Sequence, residues 1–289
     1  MIKLPTMNPE VVSKEIQKFI LNKVRHHKKT GVVLGLSGGI DSSVVAVLCL
    51  KAFEGTPFVV KGYYLPHSND DNSRVFVNRL IDAFPKIEYQ IASIYDQCTF
   101  HVYQVEAYTS QLTNYQKGNC YSRVRATFLS AFAEKENKVL SGTGNRDEDY
   151  GVGYYTMFGD GAVHMNPIGC LSKRLVYQMA EYLDIPLSII KRPPTAGLEP
   201  NQTDLGDLGY QYSTVEIVIE SIHQKVSEID LHKILEAKGI TFDRNKFADI
   251  GEMVEDILSR HLGALVKSQI INPPVPTVTL HYSEVLQNE

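Results

Sequence analysis

The sequence predicts an α/β protein with a doubly wound parallel sheet, in which helices cover both faces, followed by a helical C-terminal portion. Short apolar runs rich in β-branched residues alternate with helical segments as far as residue 142, as expected for consecutive βαβ units. From residue 213 to residue 268 the apolar spacing is helical. No flexible linker separates the two parts. We therefore expect one domain over residues 1–289, with a core at residues 11–212 and a helical portion at residues 213–289.

The first half of the chain supplies the strands. Asn8 and Pro9 form a helix start, an N-cap followed by proline in the first turn. That helix ends in the basic stretch at residues 23–29. Cations there stabilise a helix C-terminus, and we prefer this interpretation to a nucleic-acid site. Strands are predicted at residues 31–36, 58–65, 87–93 and 138–142, and helices at residues 44–53, 71–83 and 121–136.

Glycine-rich loops follow the fourth strand, and a helix is predicted at residues 172–183, before Pro186. Residues 191–210 are rich in proline, glycine and small polar residues, which predicts a long exposed loop. Loops of this length in compact proteins are commonly lids or binding loops.

Composition narrows the function classes. The chain has 29 lysines and arginines against 33 aspartates and glutamates, a formal net charge of −4, which disfavours a broad nucleic-acid surface. No apolar stretch approaches the ~20 residues that span a bilayer, and the N-terminus lacks the pattern of a signal peptide. The four cysteines contain no CxxC pair, which favours reduced thiols over a zinc site or disulfides. We expect a cytoplasmic protein that binds neither membrane nor nucleic acid.

The most informative motif is SGGIDSS at residues 37–43, between a predicted buried strand and a helix. Adjacent glycines allow a tight turn whose amides point into one concavity, and the helix N-terminus adds partial positive charge. Serine hydroxyls add further donors. The motif therefore predicts a site for a phosphate chain, although it matches neither GxxxxGK[ST] nor GxGxxG.

Asp41 within this motif predicts a metal ion. A carboxylate beside phosphates repels them unless a cation lies between, and Mg²⁺ prefers carboxylate and phosphate oxygens. The alternative is that Asp41 only caps the following helix.

SGGIDSS resembles the pyrophosphate-binding loop of the N-type ATP pyrophosphatases, whose fold is adenine nucleotide alpha hydrolase-like. Within that superfamily the later motifs resemble those of the NAD synthetases, in the same order and at similar spacing. These motifs are GNxxxRxR from Gly118, GTGNRxE from Gly142, GYYTMFGDG from Gly153, NPIGxLxK from Asn166, PPTAxL from Pro193 and QTDxxxLG from Gln202.

The resemblance implies roles for individual residues. Asp41 and Lys173 are the expected catalytic residues, and Asp41 and Glu148 the expected ligands of Mg²⁺. The expected ATP-binding residues are Gly35, Leu36, Ser37, Gly38, Gly39, Ile40, Asp41, Ser42, Ser43, Thr143, Lys173 and Thr195. The expected acceptor-binding residues are Asn119, Arg123, Met157 and His164.

The resemblance also implies a reaction in two steps. ATP adenylates the carboxylate of deamido-NAD with release of pyrophosphate, and ammonia then displaces AMP. Only about 30 residues precede the phosphate loop, so we expect an ammonia-dependent enzyme without a glutaminase domain of its own. A homodimer is implied, with contact surfaces on the first helix and on the helix at residues 121–136.

Some acceptor positions depart from the family pattern. The family often has lysine at Met157 and aspartate at His164, and its His-Lys-Arg near the C-terminus is replaced by Gln269, Ile270 and Ile271. An amide ligase for a different carboxylate on the same scaffold therefore stays open. A tRNA-modifying enzyme and a non-catalytic nucleotide-binding module are weaker alternatives.

Overall fold

A four-stranded parallel sheet lies at the centre of the protein, as predicted. A computed structural model describes residues 2–68, 72–195 and 202–284. Strand β1 (Leu4–Thr6) lies outside this sheet, which contains β2 (Gly31–Gly35), β3 (Val59–Tyr64), β4 (Glu88–Ile91) and β5 (Val139–Leu140). Their order across the sheet is β4-β3-β2-β5.

Eleven α-helices are formed by the described residues. Those of the sheet region are α1 (Pro9–His26), α2 (Ile40–Ala52), α3 (Ser73–Ala83), α4 (Tyr95–Tyr108), α5 (Asn114–Lys135), α6 (Lys173–Tyr182) and α7 (Leu187–Ile190). The C-terminal ones are α8 (Asp204–Leu208), α9 (Tyr212–His223), α10 (Glu228–Ala237) and α11 (Ile250–Ile270). None is long and apolar enough to span a bilayer.

Helices pack on both faces of the sheet. Val32 and Leu34 of β2 lie in a core shared with α1, α2 and α6, whereas Val33 between them lies in a core with α4 and α5. This alternation follows from the two-residue repeat of a strand. Both faces are covered, which explains why β2 is apolar along nearly its whole length.

The centre of the sheet is also its topological switch point. From β2 the chain runs through α2 to β3 on one side, while β5, on the other side of β2, is reached through α5. Ligand crevices of doubly wound sheets lie at the carboxyl ends of the strands at such a point. The SGGIDSS motif directly follows β2 and therefore lies in this crevice.

The C-terminal helices build a second core. Helices α9, α10 and α11 pack around buried residues such as Val215, Leu235 and Ile257. A two-stranded antiparallel ribbon pairs β1 (Leu4–Thr6) with β6 (His281–Ser283), near the two ends of the chain. We did not predict this ribbon, because a three-residue strand leaves almost no periodic signal.

Some predicted boundaries were wrong. Helix α2 begins at Ile40 rather than at residue 44, because the helix starts within the SGGIDSS motif, directly after Gly39. Helix α5 begins at Asn114 rather than at residue 121, because Thr113 and Gln116 form a capping box at its N-terminus. The predicted loop at residues 191–210 contains α8, which Thr203 caps and Gly209 ends with a φ of +87°. Residues 196–201 of that loop lie outside the described residues.

Candidate active site

The phosphate loop folds as its sequence predicts. Gly38 has a φ of +73°, and a Cβ there would lie 2.7 Å from the carbonyl oxygen of Ser73, so a side chain at this position would clash. The N-cap of α2 is Gly39, which has no side chain to cap the first amides of the helix. Those amides and the positive end of the helix dipole are therefore available to an anion.

Serines organise the same loop. The hydroxyls of Ser37 and Ser42 lie 3.1 Å apart, and Ser37 Oγ accepts a hydrogen bond of 3.2 Å from the Gly39 amide. Ser43 is fully buried and donates to the Gly39 carbonyl at 2.8 Å. Ser37 and Ser42 line the cavity at this end of the sheet, whereas Ser43 supports the helix behind it.

The cavity has a volume of about 610 Å³ and collects most of the predicted ATP-binding residues. Thr143 lies in it beyond the end of β5, and Thr195 lies in it on the loop after α7. The others that line it are Gly35, Leu36, Ser37, Gly39, Ile40, Asp41, Ser42 and Lys173. Gly38 does not, because it packs against the first turn of α3.

Asp41, Glu148 and Lys173 meet in this cavity. The Lys173 ammonium lies 2.6 Å from Asp41 Oδ2 and 2.9 Å from Glu148 Oε1, and the lysine is 5% exposed. Burial works against the charge of Lys173, but the two carboxylates outweigh it and raise the pKa of this lysine. Burial raises the pKa of Glu148 to about 7, and repulsion from Asp41 and Asp204 adds to the shift. The cluster is a buried site where charge is costly unless it is paired.

Local structure explains how these three side chains come together. Asn145, which is fully buried, donates to Asp41 Oδ1 at 3.0 Å and accepts from the amides of Asp147 and Glu148 at 3.1 Å. Asp147 in turn accepts the backbone N–H of Lys173 at 2.8 Å, at the start of α6. A π-helical turn at Asp147–Gly151 carries Glu148. Asn145 belongs to the GTGNRxE motif, but the sequence alone assigned it no role.

The donor set suits Mg²⁺. No group of three or more histidine, cysteine, aspartate or glutamate side chains that could hold a metal is found in residues 2–68, 72–195 or 202–284. Two carboxylates next to a phosphate loop match the way Mg²⁺ binds, through one or two carboxylates, substrate phosphates and water. Asp41 and Glu148 would hold the ion.

One wall of the cavity is a loop at residues 153–161, anchored on α5. Asn119 lines the cavity and accepts a 2.6 Å hydrogen bond from the Thr156 hydroxyl. Asp160 accepts from the Ser122 hydroxyl at 2.7 Å and from the Thr156 amide at 3.0 Å. The GDG sequence thus fixes the loop, and Asp160 also lines the cavity.

Three of the four predicted acceptor-binding residues do not line this cavity in the single chain. Arg123 is exposed on α5, while Arg125, two residues further on, lines the cavity and donates to the Leu65 carbonyl at 3.2 Å. Met157 does not line this cavity. His164 lines a separate one with His27 and Lys29, and its Nδ1 accepts from the Leu140 amide at 2.9 Å. Their acceptor-binding roles stay predictions, and only Asn119 is placed at the cavity by this structure.

Lys267 on α11 supports the loop at residues 153–161 from the other side. No motif or spacing in the sequence predicts this role. Its ammonium donates to the carbonyl oxygens of Gly153 at 2.6 Å and Tyr155 at 2.8 Å, and lies 4.6 Å from the centre of the Tyr155 ring. Burial lowers the pKa of Lys267. The residue therefore acts through the loop rather than on a ligand.

We expect Lys267→Met to weaken use of the acceptor carboxylate selectively. The variant keeps the apolar stem but loses both hydrogen bonds, so that kcat/KM for the acceptor should fall about 10- to 100-fold, as when a site is displaced by about an ångström. Steady-state kinetics with each substrate varied should leave the KM for ATP nearly unchanged. Lys267→Arg should recover part of the loss, and Lys233→Met, at an exposed position of α10, should have no effect. An equal loss towards ATP would contradict this role.

Comparisons with known proteins find similarity to one enzyme family. The family model described as NAD synthase matches residues 12–257. An NH3-dependent NAD+ synthetase of Methanocaldococcus jannaschii is 37% identical over 226 residues, 78% of this chain and 85% of that protein. One of Helicobacter pylori is 34% identical over 277 residues, 95% of this chain and 94% of that protein. Among solved structures, an NMN synthetase from Francisella tularensis has a TM-score of 0.71 at 27% identity, covering 91% of this chain and 96% of that one.

Proposed function

This chain belongs to the NAD synthase family, and on that basis we propose that it amidates deamido-NAD with ammonia at the expense of ATP. The enzyme is a ligase that forms a carbon–nitrogen bond. The observation that supports this best is the meeting of the phosphate loop, Asp41, Glu148 and Lys173 in one cavity.

The first step is adenylation. A carboxylate oxygen of the nicotinate ring attacks the α-phosphorus of ATP, and the bond from that phosphorus to the bridging oxygen breaks, releasing pyrophosphate. The amides at the start of α2 and the hydroxyls of Ser37 and Ser42 face the departing oxygens. Lys173 opposes the growing negative charge. The protein contributes positioning and charge neutralisation and needs no nucleophile of its own.

The second step is transfer to ammonia. The nitrogen attacks the acyl carbon of the acyl-adenylate, the bond from that carbon to the AMP oxygen breaks, and the nitrogen loses a proton. The products are the amide, AMP and, from the first step, pyrophosphate. Asn119, Asp160 and Arg125 line the part of the cavity beside the anchored loop and are placed to hold the acceptor.

We further propose Mg²⁺ as the cofactor, held by Asp41 and Glu148. When bound, the ion supplies charge neutralisation between these carboxylates and the phosphate oxygens. Asp41 accepts from Asn145, which keeps one of its oxygens oriented. We infer a homodimer as well, on the family resemblance, with contact surfaces on α1 and on α5. Exposed aromatic residues on α4, which packs against α5, would extend the second surface, and they include Phe100 and Tyr103 at 64% exposure. Four free cysteines support our proposal that the protein works in the cytoplasm.

Nicotinate mononucleotide is the second candidate acceptor. One solved relative is an NMN synthetase, and Arg123, Met157 and His164 do not line the cavity of the single chain. Both acceptors share the nicotinate carboxylate and differ in the adenylyl group, so adenylation proceeds identically with either.

Measuring the products formed with each acceptor decides between deamido-NAD and nicotinate mononucleotide. We expect AMP and pyrophosphate to form with ATP, Mg²⁺, ammonia and deamido-NAD, in equal amounts with the amide, and to stop when Mg²⁺ is chelated. Nicotinate mononucleotide is supplied in a parallel reaction. A higher kcat/KM for the mononucleotide than for deamido-NAD would identify the mononucleotide as the acceptor. The absence of AMP formation with either acceptor would contradict the amidation proposal.

A further inference from the structure

Arg192 brings a guanidinium group to the phosphate loop from the start of the loop that follows α7. Its Nη1 donates to the Ser37 carbonyl at 3.3 Å, and its Nη2 donates to the Ser73 hydroxyl at 2.9 Å. The guanidinium stacks 4.6 Å from the centre of the Phe76 ring on α3. Arg192 lines the same cavity as the loop. The side chain is therefore held in place before any ligand binds.

Two carboxylates, those of Asp41 and Glu148, already offset the positive charge of Lys173. Its ammonium contacts two carboxylates within 3 Å, so that these three groups together carry a formal charge of −1 when both carboxylates are ionised. Departing pyrophosphate adds several negative charges at the neighbouring loop, where the amides and hydroxyls contribute only partial charges. A full positive charge at the loop itself would stabilise that group.

Arg192 has the right chemistry and position for this task. A guanidinium presents donors in a planar fork that matches phosphate oxygens, and stacking on an aromatic ring orients that plane. Its Nη1 lies 3.0 Å from the place where a Cβ on Gly38 would sit, directly over the bare backbone of the loop.

We propose that Arg192 binds the pyrophosphate that leaves ATP, as a residue that contacts the substrate. This inference rests on the proposed function, since it requires that the loop holds the β- and γ-phosphates. It supplies a loop cation that the SGGIDSS motif lacks. Because Arg192 is followed directly by Pro193, Pro194 and Thr195, it also links pyrophosphate binding to the loop that carries Thr195.

The chain offers a matched control. Arg79 on α3 stacks on the same Phe76 ring, at 5.6 Å from its centre, but it is exposed and does not line the cavity. Arg79→Gln removes the same charge and the same type of stacking as Arg192→Gln without touching the phosphate loop. A difference between the two variants therefore reports on the loop contact and not on net charge.

Calorimetric titration of the full chain with inorganic pyrophosphate and excess Mg²⁺ tests the proposal. Arg192→Gln should raise the Kd about 10- to 100-fold, the range for losing a hydrogen bond to a charged group. Arg192→Lys should fall between this variant and the wild type, because it keeps the charge but not the fork. Arg79→Gln should stay within twofold of the wild type.

Equal Kd values for the wild type and Arg192→Gln would overturn the proposal, as would equal weakening by Arg79→Gln or no binding to the wild type. The amidation assay is read separately. If the wild type forms no AMP with either acceptor, the proposed function fails, whereas AMP formation with unchanged pyrophosphate binding in Arg192→Gln removes only the role of Arg192.

Discussion

Asp41→Asn is expected to reduce pyrophosphate release by at least about 10³-fold, since metal-ion stabilisation of phosphoryl oxygens contributes several kcal/mol. The substitution removes the carboxylate charge that would hold Mg²⁺ and leaves an amide of the same size. Quenched-flow or coupled detection of pyrophosphate with saturating ATP and acceptor measures the loss. Raising the Mg²⁺ concentration should recover part of the activity, because losing a ligand raises the Kd for the ion.

The fold should tolerate this change. Asp41 side-chain atoms are 18% exposed to the cavity, and an asparagine Oδ1 can still accept from Lys173, at the loss of the hydrogen bond from Asn145. Asp82→Asn, on an exposed position of α3, removes the same charge away from the site and should leave turnover unchanged. Turnover of Asp41→Asn near that of Asp82→Asn would contradict the assignment of Asp41 to the metal, and with it the interpretation of the whole motif.

Local signals predicted the parts of the protein that depend on local rules. The N-cap at Asn8 predicted the start of α1, since capping is decided within three residues. The SGGIDSS string predicted a tight turn between a buried strand and a helix, which the φ of Gly38 confirms. Alternating strand and helix patterns predicted the parallel sheet, because a crossover connection needs a helix on one face.

The remaining features depend on contacts between distant residues. Lys267 reaches the carbonyl of Gly153 across 114 positions of sequence, and no periodicity reports such a pair. Arg123 and Arg125 lie two residues apart on α5, and the sequence does not show which of them faces the cavity. The orientation of α5 against the sheet places Arg125 there. The resemblance named Asp41, Glu148 and Lys173 together, but the role of Asn145 in joining them became visible only from its hydrogen bonds.

Lys173→Met should have a large effect on both stability and activity. Removing the ammonium leaves Asp41 and Glu148 as neighbouring carboxylates with no cation between them. Breaking a buried ion pair costs about 3–5 kcal/mol of unfolding free energy, and we expect the lower end because both carboxylates face the cavity. Pyrophosphate release should fall by about 10²- to 10³-fold, the effect of removing one preorganised charge-stabilising donor.

The stability loss should depend on pH with a defined sign. Glu148 has a pKa of about 7 in the folded protein, above its ordinary value, so the folded state takes up this proton more readily and gains stability as pH falls from about 7 towards 4.5. Lys173 opposes that upward shift, so its removal raises the pKa of Glu148 further. The difference in unfolding free energy between variant and wild type should therefore be larger at pH 8 than at pH 5.5.

The stability of Lys173→Met should also depend on Mg²⁺. A divalent cation between Asp41 and Glu148 would replace the lost ammonium, so millimolar Mg²⁺ should raise the melting temperature of Lys173→Met more than that of the wild type. Lys18→Met, on the exposed side of α1, corrects for the loss of one positive charge. Thermal unfolding with and without Mg²⁺ measures the shift in melting temperature, and urea unfolding at pH 5.5 and pH 8 measures the difference in unfolding free energy. A loss that is the same at both pH values and unaffected by Mg²⁺ would mean that Lys173 acts through packing alone, and that the two carboxylates do not share a cation site.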